Sequence, residues 1–237
     1  MASEAQATPE PERPVFSTLI EHAIEVSAQW HDRTYRKSRW RSAAFDVPQD
    51  TLLGVPVMAH VTAVALTVQR GGWDDETVAA AFLHDVLEDG NFWGDRMSFE
   101  NLAALMGRQV ANLVVFLSER KFDDKGNPIR WRERKEQYVR SLREAPAGAI
   151  AISLADKLHN LWTINEGLDR GMDVFTGRGG RKGLGAGPDQ QDWFFSEVLS
   201  VSEAFTDPRL DPVRGELRVE LSRFRRLAAE SSPPRAG

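Results

Sequence analysis

Apolar residues recur along this chain at intervals of three and four and almost nowhere alternate, a pattern that predicts helices packed on one another and an all-α fold. Phe16, Leu19, Ile20, Ala23 and Ile24 fall on one stripe of a first helix that runs to about Trp30. Residues 57–68 and 76–87 read as two more helices. The second is apolar all round, at Val78, Ala79, Ala80, Ala81, Phe82, Leu83, Val86 and Leu87, which marks the centre of a bundle. Ser98 can cap a short helix ending near Gly107, and residues 109–117 form the next. Gly126-Asn127-Pro128 breaks the chain before a charged helix over 129–143. Pro146 opens a helix carrying Ile150, Ile152, Leu154, Leu158, Leu161 and Ile164, and helices near 192–205 and 213–227 close the bundle.

Two stretches lack a period. Residues 33–56 hold Pro48, Gly54 and Pro56 and read as a long loop, and the glycine-rich 177–187 reads as a connector. The second lacks the Lys-Ser/Thr ending of a phosphate-binding loop. Residues 1–14 and 231–237 are expected to be disordered tails around one domain over 15–230. The length of 237 residues and a hydrophobic content of 41% suffice for a single core.

Charge narrows the partners. A net charge of −5 argues against general attraction to DNA or another polyanion, so an anionic ligand needs a local cluster of cations. Arg33-Thr34-Tyr35-Arg36-Lys37-Ser38-Arg39-Trp40-Arg41 is such a cluster. The absence of cysteine excludes disulfides and thiolate metal sites and fits a cytoplasmic location. No apolar run near the start suggests a signal peptide or membrane anchor.

Histidines and acids interrupt the apolar pattern where it is strongest. His84 and Asp85, with Glu88 and Asp89 a turn further on, lie along one edge of the most apolar helix; His60 begins another, and Asp156 breaks the apolar face of a third. Burying such groups is costly unless they pair or bind a metal. Two imidazoles and two carboxylates, from His60, His84, Asp85 and Asp156, suit a divalent cation with positions left for water. His22 and His31, nine residues apart, face opposite ways on a continuous helix; His31 is taken as pocket-facing and His22 as superficial. His159 reads as a hydrogen-bonded structural histidine, and Arg130, Arg132, Arg134 and Lys135 as a solvated helix face.

Over residues 16–165 the order of motifs resembles the HD hydrolase domain of RelA/SpoT enzymes and small alarmone hydrolases. The motifs are His31 with Arg36-Lys37, then Gly54-Val55-Pro56-Val57-Met58-Ala59-His60, then His84-Asp85-Val86-Leu87-Glu88-Asp89, and then Leu154-Ala155-Asp156-Lys157-Leu158-His159-Asn160. The resemblance implies an HD-domain helical bundle that removes the 3′-pyrophosphate of ppGpp or pppGpp with Mn²⁺. It assigns the metal to His60, His84, Asp85 and Asp156 and nucleotide contacts to Arg36, Lys37 and Asn160, joined by the pocket-facing His31, while Glu88 and Asp89, one turn beyond the metal donors, are placed to orient the attacking water and move its proton. Two features depart from the family: residues 38–53 lengthen the link after the Arg-Lys pair, and Val57 stands where an aromatic residue is usual. No synthetase domain follows, so net alarmone synthesis is not expected. Two other readings stay open, an HD phosphohydrolase acting on another phosphorylated nucleotide or a pyrophosphorylated RNA 3′ end, and a non-catalytic helical interaction module.

Overall fold

A computed structural model describes residues 14–42, 52–88, 90–176 and 183–231, without the side chains of 37–42 and 52–53. Among them, helices α1 (Thr18–Trp30), α2 (Val57–Arg70), α3 (Asp75–Leu83), α4 (Phe99–Met106), α5 (Arg108–Leu117), α6 (Trp131–Leu142), α7 (Ala147–Asp169), α8 (Pro188–Ser202) and α9 (Asp211–Ser231) build the fold. The all-α class holds with one local exception. Strands β1 (Tyr35–Ser42) and β2 (Leu52–Pro56) pair antiparallel inside the stretch expected to be a loop. Tyr35 faces Pro56 and Ser42 faces Leu52, with the register slipping between Tyr35 and Trp40. The strands escape periodicity because the charged run over 36–41 and the short Leu52–Pro56 show no apolar alternation. Gly54 permits the pairing, since a Cβ there would lie 2.9 Å from the Tyr35 ring. Of the expected tails only Pro14 and Ser231 are described, Ser231 as the last residue of α9, and most of the glycine-rich connector lies outside the described residues; what is described of the connector folds back, Leu184 N–H donating to the Val174 carbonyl at 3.0 Å.

Capping sets the helix starts. Asp74 accepts from the Thr77 amide at 2.9 Å and Ser98 from the Asn101 amide at 3.1 Å, each satisfying a donor that has no partner within its helix. The centre of the bundle is α3 against α7. Ala79, Ala80, Ala81 and Leu83 on α3 are fully buried, as are Ala149, Ile152 and Leu154 on α7. Gly148 brings the two close, because a Cβ there would meet the Thr77 hydroxyl at 2.9 Å. Helix α3 is shorter than its apolar run predicts: it ends at Leu83, and residues 84–88 continue as turns. Val86 stays buried. Helices α8 and α9 start and end a few residues from the expected limits, and α9 packs along α7. Among the described residues, no helix is long and apolar enough to cross a membrane.

Candidate metal centre

Three buried helical elements aim donors at one point. His60 comes from the first turn of α2, His84 caps α3, and Asp156 comes from the middle of α7. Their ligand atoms lie within 4.8 Å of one another. His60 Nε2 is 3.2 Å from Asp156 Oδ1, and His84 Nε2 is 3.8 Å from the same oxygen. Asp85, on the turn after α3, closes the group with carboxylate oxygens 3.4 Å from His84 Nε2 and 3.8 Å from His60 Nε2.

Proton placement indicates what this cluster holds. His84 Nδ1–H donates to the Ala81 carbonyl at 2.7 Å, which leaves Nε2 as the ring nitrogen that faces the cluster. The Nε2 atoms of both His60 and His84 are buried with no hydrogen-bond partner. Burial, helped by the nearby Arg36 guanidinium, lowers the His60 pKa to about 3, so that ring is neutral. Two buried imidazole nitrogens without partners, that of His60 a lone pair, stand beside two carboxylates, and a cation between them would satisfy all four. The donor set therefore fits a divalent metal, with nitrogen and oxygen ligands and no thiolate.

Around these donors lies a second layer. His60 Nδ1 is 2.9 Å from His159 Nδ1, so the expected structural histidine stands directly behind a candidate ligand. The Lys157 ammonium and the Asn160 amide both donate to the Asp156 carboxylate. Burial alone would raise the Asp156 pKa, but Lys157 outweighs it and holds the group well below the ordinary value. Burial alone would raise the Asp85 pKa, but neighbouring positive charge, the Arg36 guanidinium included, holds it below its usual range.

The residues expected to bind nucleotide reach the centre unequally. The Arg36 guanidinium, at the root of the hairpin, donates to Asn160 Oδ1, which makes a relay Arg36–Asn160–Asp156. His31 is buried at the end of α1, while His22 is exposed. The Lys37 side chain and the whole of Asp89 lie outside the described residues. Glu88 is described, on the turn beyond Asp85, where its Oε1 accepts from the Glu119 amide at 2.9 Å and its Oε2 is 3.7 Å from Lys121 Nζ. Burial, with Asp85 and Glu119 nearby, raises its pKa to about 7.

One expectation fails. Lys135 is not on a solvated face: its side chain is 16% exposed, pairs with Glu119 and sits 4.3 Å above the Phe194 ring. Arg134 joins the same acid at 3.5 Å. Arg132, by contrast, is half exposed and pairs with Glu136. Sequence reading missed Glu119, Lys135 and Lys157; the one available signal for Lys157 was a lysine beside Asp156 inside a long apolar helix.

Comparison with known proteins identifies the family. A sequence model of the HD domain family matches residues 40–184. The probable guanosine-3′,5′-bis(diphosphate) 3′-pyrophosphohydrolase of Mycoplasma pneumoniae is 26% identical over 165 residues, 67% of this chain and 20% of that protein. The guanosine-3′,5′-bis(diphosphate) 3′-pyrophosphohydrolase MESH1 of Danio rerio is 35% identical over 114 residues, 47% of this chain and 57% of its own. This chain thus spans a fifth or less of the length of the first bacterial relatives it matches. A solved structure, described as a metazoan ortholog of SpoT that hydrolyzes ppGpp, superposes with a TM-score of 0.56 at 23% identity. It covers 90% of this chain and 97% of that one, and shares the fold.

Proposed function

Because this chain belongs to the HD domain family, we propose that it is a metal-dependent phosphohydrolase that removes the 3′-pyrophosphate from guanosine tetra- and pentaphosphate in the cytoplasm. The observation that carries this reading is the joining of two functions at one carboxylate. Asp156 faces His60 and His84 with one oxygen, while Asn160 links it to the Arg36 guanidinium. A metal site and a phosphate- or base-binding cation are thereby held in fixed relation, as hydrolysis of a phosphorylated nucleotide requires. The names of the bacterial and zebrafish relatives supply the substrate class.

In this reading His60, His84, Asp85 and Asp156 hold the ion, with Mn²⁺ the expected metal. A bound divalent cation supplies an acidified water and draws charge from a phosphoryl oxygen. Glu88, with a pKa raised to about 7, is suited to take a proton from that water near neutral pH; Asp89 shares the role. Arg36 grips phosphate or stacks on the base, His31, Lys37 and Asn160 complete the nucleotide contacts, and one domain spans 15–230. The products are pyrophosphate and GDP or GTP.

The test is hydrolysis of a panel by the purified chain with Mn²⁺, containing both alarmones, other phosphorylated nucleotides and RNA bearing a 3′-pyrophosphate. Release of pyrophosphate from the alarmones is expected. Turnover of RNA alone would favour the wider HD chemistry, and no turnover at all the non-catalytic module. Arg36→Ala should weaken alarmone binding by about 1.5–3 kcal/mol, the worth of a charged hydrogen bond, with Mn²⁺ affinity unchanged. Unaltered kinetics would remove Arg36 from recognition.

A further inference from the structure

Glu88 stands on a turn, with no helix of its own to fix it. Its described partners come from the segment after α5: the Glu119 amide on Oε1 and the Lys121 ammonium near Oε2. That segment is in turn tied to α6 by a buried ion pair, since the Glu119 side chain, 6% exposed, receives Lys135. Arg134, also on α6, is 3.5 Å from its other oxygen. Lys135 is seated on aromatic rings, 4.3 Å from the Phe194 centroid and 5.7 Å from that of Trp131. An ammonium over such rings gains cation–π attraction, which partly replaces its lost hydration.

We propose that Lys135, acting through Glu119, is a positioning residue for Glu88. The inference rests on the reading above in one respect, that Glu88 handles the proton of the attacking water. Lys135 touches neither the metal donors nor Arg36 in any recorded contact. Its route is covalently short: Lys135 fixes the Glu119 carboxylate, the carboxylate fixes its own backbone, and that backbone N–H holds Glu88 Oε1. Other bonds hold the rest of the segment, including Ile129 N–H to the Lys121 carbonyl at 2.9 Å and Ser118 Oγ to the Val114 carbonyl at 2.9 Å. Loss of Lys135 should therefore loosen one amide and one carboxylate and leave the fold standing, with Arg134 remaining to compensate Glu119. A buried pair costs about as much desolvation as it gains in attraction, so simple stabilisation does not account for placing one here.

Lys135→Met keeps the apolar stem and removes the ammonium; Lys135→Arg restores the charge. In protein without metal or substrate, hydrogen exchange at the Glu119 amide should accelerate about tenfold or more in Lys135→Met, while the α7 amides keep their protection. On guanosine tetraphosphate, kcat should fall roughly tenfold with KM and Mn²⁺ affinity unchanged, the signature of a loss confined to the reacting state. Lys135→Arg should recover most of it. In a Glu88→Gln background the Lys135→Met penalty should vanish, because the route ends at that carboxylate. Glu119→Gln, which keeps shape but weakens the pair, should repeat both losses and serves if Lys135→Met does not fold. Unchanged exchange at Glu119, or a penalty that persists in Glu88→Gln, overturns the proposal. If the unaltered protein does not hydrolyse the alarmone, the functional reading falls, and amide exchange alone still decides the Lys135 route.

Discussion

Asp156 and Glu88 are two carboxylates withdrawn from water to a similar degree, their side chains 10% and 17% exposed, yet the fold drives their proton affinities apart. Asp156 is held well below the ordinary value and Glu88 is raised to about 7. Burial opposes ionisation in both. What differs is the sign of the nearest charge. Asp156 stands on a rigid helix with the Lys157 ammonium on its own carboxylate, whereas Glu88 stands on a turn beside Asp85 and Glu119, with Lys121 and Lys135 too weak to offset them. One half of the site is thereby kept charged, as the role proposed for Asp156 as a cation ligand requires, and the other near its midpoint, as the role proposed for Glu88 as a proton acceptor requires.

The contrast breaks most severely if the charged half loses its acid. Asp156→Ala removes a proposed metal donor and takes the carboxylate from the buried Lys157 ammonium. Metal binding should disappear, and stability should fall by about 3–5 kcal/mol, the usual result of stranding one member of a buried pair. Mn²⁺ titration and thermal melting of the metal-free protein measure the two effects. Normal metal uptake by this variant would remove Asp156 from the centre.

The opposite directions also give opposite dependences on pH. Glu88 binds its proton more tightly when folded, so its contribution to stability is complete below the unfolded value of about 4.5 and is lost as pH rises through about 7. The span corresponds to about 3 kcal/mol, as an order of magnitude. Asp156 and Asp85, whose values are depressed, contribute above the ordinary aspartate range and lose that contribution as pH falls through their lowered values. Denaturant unfolding of metal-free protein between pH 4.5 and 8 should show a decline that Glu88→Gln flattens. A cation bound at Asp85 cancels part of the negative field on Glu88, so Mg²⁺ or Zn²⁺ should lower the Glu88 titration followed by carbon-13 NMR. A titration that stays put with metal bound would mean that the ion lies elsewhere.

How much of this could be read in advance follows the same division. The helices were legible because each buries a stripe, and the donors were legible because His60, the His84-Asp85 pair and Asp156 interrupt those stripes in an order shared with a known family. The hairpin of β1 and β2 was not, since Tyr35–Ser42 and Leu52–Pro56 carry no apolar alternation in the sequence. The end of α3 at Leu83 was hidden because Val86 continues the apolar run although the chain has left the helix. Lys135 was misread because a cation under an aromatic ring and one in solvent have the same sequence signature; only the meeting of α6 with α8, and of Lys135 with Glu119, separates them.

The smallest effect concerns the ring behind the metal donors. For His60 to offer a lone pair at Nε2 its proton must be on Nδ1, and the atom 2.9 Å away to receive it is His159 Nδ1. That requires His159 to carry its own proton on Nε2, and it fixes the rotation of the His60 ring. Partners of this kind orient metal-binding histidines and typically contribute 10–100-fold to affinity, so His159→Ala should weaken Mn²⁺ binding by about 1.4–2.7 kcal/mol. The nucleotide contact proposed for Asn160 has its own link to Arg36, which does not involve His159, and should be spared, leaving KM for the alarmone unchanged at saturating metal. Calorimetric titration of metal into the substrate-free variant is the decisive measurement. An unaltered affinity would show that His60 is oriented by its packing on α2 alone, and that the hydrogen bond to His159 is incidental to the metal.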